Sequence, residues 1–216
     1  MRLSSRNRAS STGVAGIGVR CDDDPARLKQ HTARCMGGQV DGGGGVTDSG
    51  LRLIAAVGLV TGAVLGVAGT FAPSASWRGL AWGIDGTALV VATGLLTIHH
   101  ARRGNDLAAA GFLVFVVGET LIVSGSAMTL EASVPSFAAG TALWAASLAL
   151  VGASNIVPPV IKGLGWLASV LFSVVAVQIF TGAALTPLSQ PLPFFAYPIF
   201  AATLLGWAWV HYRYRD

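Results

Sequence analysis

The chain has 216 residues, 53% of them hydrophobic and only 11% charged, against roughly 25% charged in a soluble domain. From Leu53 to Val210 the only charged side chains are Arg78, Arg102, Arg103 and Lys162, with Asp85, Asp106, Glu119 and Glu131, too few to give so long a stretch a water-facing surface. A water-soluble domain is therefore excluded. The net charge of +4 does not imply nucleic acid either, because the basic residues flank apolar segments and form no patch interleaved with aromatic residues.

Residues 1–50 are a different material. They carry 7 of the 14 basic and 5 of the 10 acidic residues, and they include "DGGGG" at 41–45. With no apolar period, this stretch is expected to be disordered. It reads as a flexible cytoplasmic tail, as an over-extended start with Met36 nearer the true one, or as an Arg- and Ser-rich targeting peptide. Cys21 and Cys35, with His31 between them, are too few and too far apart for zinc and are expected as reduced thiols. No metal and no cofactor is expected anywhere in the chain.

A membrane span needs about 20 mainly apolar residues. Six segments qualify, at about 53–72, 80–99, 107–128, 137–156, 164–185 and 194–211, separated by "APSASWRG", "HHARRGND", "TLEASVPS", "VPPVIKG" and "TPLSQPLP". In lipid the backbone must satisfy its own hydrogen bonds. The expected fold is therefore all-α and polytopic: a six-helix, up-down transmembrane bundle over 51–212 behind the N-terminal tail. Arg52, Arg102, Arg103, Lys162, Arg213 and Arg215 fall on one side and only Arg78 on the other. The positive-inside rule then puts both termini in the cytoplasm, with the plasma (inner) membrane as the location. Trp77, Trp82, Trp166, Trp207, Trp209 and Tyr212 fall at span ends and read as interfacial anchors, whereas Trp144 lies deeper.

In the first span Gly58, Gly62 and Gly66 repeat every four residues, and in the third Gly111, Gly118 and Gly125 repeat every seven. Both spacings make a smooth helix face that lets another backbone approach. These glycine-zipper faces are expected to pack helices within the bundle, or else to bind a second copy or another membrane protein. An inverted three-plus-three repeat, which would suggest a transporter, is not found. Glu119 has no counterpart in the sixth span, and the glycine zipper has none in the fourth.

Glu119 sits near the centre of the third span. A charge there costs about 2.5–3.5 kcal/mol on insertion scales. The ten Leu, Ile, Val and Phe residues of 107–128 offset that at about 0.3–0.6 kcal/mol each, so the span tolerates it. Counting from the expected outer span ends at 1.5 Å per residue, Asp85 lies about 8 Å deep, Glu119 about 14 Å and Gln178 about 11 Å. With Ser126 on the Glu119 face, these residues form a candidate polar pocket in the outer half of the membrane. Each has a plainer reading. Glu119 and Gln178 are interhelical hydrogen-bonding groups, and Asp85 is the N-cap of a shortened second helix. His99, His100 and His211 read as solvated residues at the cytoplasmic edge, and Phe194, Phe195 and Tyr197 as a lid over the pocket.

No Ser–His or Cys–His pair at membrane depth supports nucleophilic catalysis, so no catalytic residue is assigned. Two functions remain. One is a non-enzymatic structural or accessory bundle. The other is a small proton-linked transporter or channel-like protein that uses Glu119.

Overall fold

A computed structural model describes residues 48–126, 128–182 and 191–213; side chains are described for these except 130 and 191–195. The chain divides at Gly45–Val46, and every described residue belongs to the second unit. The tail readings and the Cys21–His31–Cys35 grouping lie outside the described residues.

Six helices follow one another: α1 Asp48–Thr70, α2 Ala75–Arg102, α3 Asp106–Ser126, α4 Leu130–Ala153, α5 Pro159–Phe180 and α6 Pro191–Arg213. Among the described residues there is no strand. The helices α1 to α3 and α5, together with Glu131–Ala153 of α4, are five segments long and apolar enough to cross a membrane. At 28 residues, α2 is about 42 Å long, more than the roughly 30 Å of bilayer hydrocarbon.

Each helix packs on the next, α6 packs back on α1, and among the described residues no pair approaches across the middle. The result is a closed six-membered ring. Helix backbones held this far apart leave an axis that only large side chains can fill, and a column of aromatic rings fills it. Phe112 and Phe115 of α3 meet Trp207 and Phe200 of the opposite helix α6, and the rings of Trp144, Phe172 and Tyr197 continue the stack. The ring's outer surface is apolar, with Ile54, Val57, Leu113, Val117, Val170 and Val177 among its exposed residues. Such a surface suits lipid rather than water.

Neighbouring helices touch where their side chains are small. A methyl group on Gly58 would stand 2.8 Å from Ala92 Cβ, and one on Gly111 would stand 2.7 Å from Val151 Cγ2. The α1 glycines Gly58, Gly62 and Gly66 thus lie against α2, while Gly111, Gly118 and Gly125 lie against α4. Several hydroxyl groups donate to backbone carbonyls, mostly within their own helix, whereas Ser147 Oγ is buried without a partner. Thr93 donates to Leu89 O at 2.6 Å and Thr141 to Phe137 O at 2.8 Å. Ser169 crosses from α5 to donate to Ala145 O of α4 at 2.7 Å.

Several helix ends differ from the sequence expectation. "TLEASVPS" is helical from Leu130 onward, with Pro135 inside α4. Pro135 is past the first turn, so the helix continues through it at the loss of the one bond its N–H would have made to Glu131 O. The fifth helix begins at Pro159 rather than near 164, because proline is well accepted at the first helical position. The second helix runs through His99 and His100 to Arg102, and the turn is made by Arg103–Asn105, with Gly104 at φ +70. Trp207 is not interfacial but buried in the core, while Trp209 is exposed. Two residues on, a helix has rotated about 200°, so only one of the pair can face outward.

Candidate functional site

Asp85 lies in the interior of α2, ten residues after Ala75, and does not cap it. The cap is Ser74, whose Oγ accepts from the Trp77 N–H at 3.3 Å. The helix therefore starts before "GIDGT", and Asp85 is about 15 Å from its end. There it rests on the α1 glycines. Methyl groups on Gly62 and Gly66 would stand 3.1 Å from Asp85 Oδ1 and 2.9 Å from Asp85 Oδ2. The glycine zipper of α1 makes the room that this carboxyl occupies.

Glu119 projects from α3 towards Gly86, where a methyl group would stand 3.0 Å from Glu119 Oε1. Gly86 follows Asp85 in the chain, so the two carboxyls lie within electrostatic reach of one another, and of Tyr197 on α6. Glu119 is 3% exposed, whereas Asp85 is only half-buried. The Trp144 indole N–H faces Glu119 from α4 without a closed hydrogen bond. Asp85 Oδ1, Glu119 Oε2 and Trp144 Nε1 are all buried and lack a hydrogen-bond partner. Among the described residues neither carboxyl has an ion pair. Arg78 has its guanidinium 6.0 Å from the Trp82 ring centre.

The other two candidate pocket residues lie elsewhere. Ser126, the last residue of α3, is exposed and donates to Val123 O of its own helix at 2.6 Å. Gln178 is in the last turn of α5, because that helix stops at Phe180 with Thr181 as its cap. Its carbonyl accepts from Thr181 Oγ1 at 3.0 Å, and α5 neighbours neither α2 nor α3. In their place the ring supplies Trp144 and Tyr197. The depth of Trp144 in the fourth span was a usable signal. Tyr197 is no lid: it packs into the aromatic column, 5.9 Å from Phe172 and 6.3 Å from Trp144 between ring centres.

The histidines also depart from expectation. His99, His100 and His211 are 4%, 5% and 6% exposed, gathered at the end of the ring that carries the α2–α3 turn. His99 Nδ1 lies 2.8 Å from Asp48 Oδ1, and Arg103 donates to Asp48 Oδ2 at 2.9 Å. His100 stacks on Phe112 and its Nε2 is 3.0 Å from His211 Nε2. Among the described residues no group of three or more His, Cys, Asp or Glu is arranged to hold a metal ion.

Comparison of the chain with protein families, with curated proteins and with solved structures finds no match.

Proposed function

We propose that the chain is a six-span integral membrane protein, with both termini cytoplasmic, that handles protons at the Asp85–Glu119 pair. One observation carries this reading. Two carboxyl groups lie within electrostatic reach of one another, among the described residues neither has an ion pair, and an oxygen of each is buried without a hydrogen-bond partner. Two like charges so placed in a low-dielectric interior are strongly disfavoured together, so the pair holds a proton. A purely structural hydrogen bond would instead show its donor and acceptor satisfied. Half-buried Asp85 gives the exchange side, and Glu119, under Trp144 and Tyr197, the inner position. Because the aromatic column fills the axis, passage through the ring requires movement rather than an open pore.

A structural or accessory role is the second reading, favoured by a different observation. Both glycine faces are covered within the ring, as in a bundle built chiefly to be stable.

Glu119→Gln in the reconstituted full chain separates the two, because it keeps shape and hydrogen-bonding capacity. Proton flux across vesicles and the infrared carboxyl band would be followed together. A band that exchanges in deuterated buffer and titrates near neutral pH, with flux lost in the variant, supports proton handling. A band that neither exchanges nor titrates, with the variant unchanged, assigns the accessory role.

A further inference from the structure

Trp144 of α4 is 4% exposed and is held by rings from three other helices. Its indole stacks on Phe200 of α6 at 5.0 Å between ring centres and on Phe115 of α3 at 6.2 Å. Phe172 of α5 and Tyr197 of α6 meet it edge-on at 5.3 and 6.3 Å. Packing of this kind fixes the plane of the indole, and with it the direction of its N–H.

Gly118 sets how closely the indole approaches Glu119. A methyl group on Gly118 would stand 3.2 Å from Trp144 Cδ1, the ring carbon bonded to Nε1, and Glu119 is the next residue of α3. The N–H faces the Glu119 carboxyl. Trp144 Nε1 and Glu119 Oε2 are both buried, and neither has a hydrogen-bond partner among the described residues. A buried donor and a buried acceptor are each costly to leave alone. Side by side, they are the two halves of one hydrogen bond.

The chemistry of the indole decides when that bond matters. Its N–H only donates, so Trp144 cannot take the proton of Glu119. It bonds a carboxylate roughly twice as strongly as a neutral carboxyl. The titratable groups that face Glu119 are Asp85 of α2 and Tyr197 of α6. When the proton of the pair passes from Glu119 to the Asp85 carboxylate, the total charge is unchanged, but the negative charge now sits on the more buried group. That charge needs a donor. We propose that Trp144 is the positioning residue of this step: its N–H closes on Glu119 as the proton moves to Asp85, and opens when the proton returns. The inference rests on the proton-handling reading. Because the indole is wedged between rings, the part that moves is the Glu119 side chain.

The test uses the reconstituted full chain and follows the Glu119 infrared carboxyl band, proton flux and the indole N–H resonances of nitrogen-labelled tryptophan. One indole resonance should move in step with the titration of the Glu119 band. It should lose that dependence in Glu119→Gln, whose amide oxygen accepts at every pH. Trp144→Phe should remove this resonance and lower proton flux about tenfold or more, the usual loss for one charge-assisted contact. Replacing Trp144 by benzothienylalanine, which keeps the indole shape and puts sulfur in place of N–H, should do the same with the thermal midpoint nearly unchanged. If neither variant folds, the indole resonances of the unaltered chain and of Glu119→Gln remain decisive. A Glu119 band that titrates while every indole resonance stays still overturns the role of Trp144 and leaves proton handling standing, as do folded variants with undiminished flux. A Glu119 band that neither titrates nor exchanges overturns both.

Discussion

Gly118 of α3 and Gly140 of α4 bring their backbones into direct contact. A methyl group on Gly118 would stand 3.0 Å from Gly140 O, and one on Gly140 would stand 2.8 Å from Gly118 O. Carbonyl groups fixed in helices cannot step aside as a side-chain tip can. Gly118→Ala and Gly140→Ala should each destabilise the ring by about 1–3 kcal/mol, the usual cost of overpacking. Gly94, beside which an added methyl meets nothing within 4 Å, is the control. Gly94→Ala should be neutral or stabilising by up to about 1 kcal/mol, through helix propensity. Thermal midpoints in one detergent rank the three, and equal midpoints would remove the close-approach argument.

The two tryptophans at the end of α6 make a similar contrast. Trp207 is 1% exposed and contacts Phe112 and Phe115, while Trp209 is 56% exposed with Arg213 over its ring at 5.0 Å. Trp207→Ala should cost about 3–5 kcal/mol, the range for emptying an aromatic core position. Trp209→Ala should stay within about 0.5 kcal/mol. Intrinsic fluorescence during unfolding in graded denaturing detergent would measure both.

Asp48 ties the start of α1 to the end of α2 through His99 and Arg103. The carboxylate is 50% exposed, so water and salt screen the tie. Asp48→Asn should lower stability by no more than about 1 kcal/mol, and the difference from the unaltered chain should shrink in molar salt, where the screening length falls to about 3 Å. A loss that is larger and insensitive to salt would point to a packing role for Asp48.

The helices were legible because a run of apolar residues long enough to cross lipid leaves few alternatives. Their ends were not, and the candidate pocket inherited those errors. Pro159 and Pro135 read as breaks, although Pro159 opens its helix where no backbone bond is lost and α4 continues through Pro135 at the loss of one. His99 and His100 sit in a run of polar residues that looks like a loop, yet the helix carries them inward onto Phe112 and Asp48. Gln178 was placed deep only because its helix was taken to run five residues beyond Phe180. Asp85 and Glu119 stand out by charge alone, but their proximity depends on Gly62, Gly66 and Gly86 making room. The sequence displays Gly62 and Gly66 as packing residues, does not single out Gly86, and gives no hint of which side chain fills the space. Trp144 comes from the next helix, α4, but Tyr197 comes from the sixth, and its place in the ring depends on α6 packing back on α1.

Glu119 is also the position where stability and function should part. A buried carboxyl with an unpartnered oxygen weakens the fold relative to an apolar side chain of similar volume. Replacing such groups by well-packed hydrophobes is neutral or stabilising by about 1–4 kcal/mol in comparable cases. Glu119→Met should therefore raise the thermal midpoint, whereas Glu119→Gln, which keeps a polar group facing Trp144, should leave it nearly unchanged. Under the proton-handling reading both variants lose exchange equally, since neither carries a transferable proton. A stabilised Glu119→Met protein that has lost flux would mean that the carboxyl is held against the fold's own preference, as sites kept for function are. A Glu119→Met protein that is clearly destabilised would mean that the carboxyl supports the ring, and the accessory reading would then account for it better.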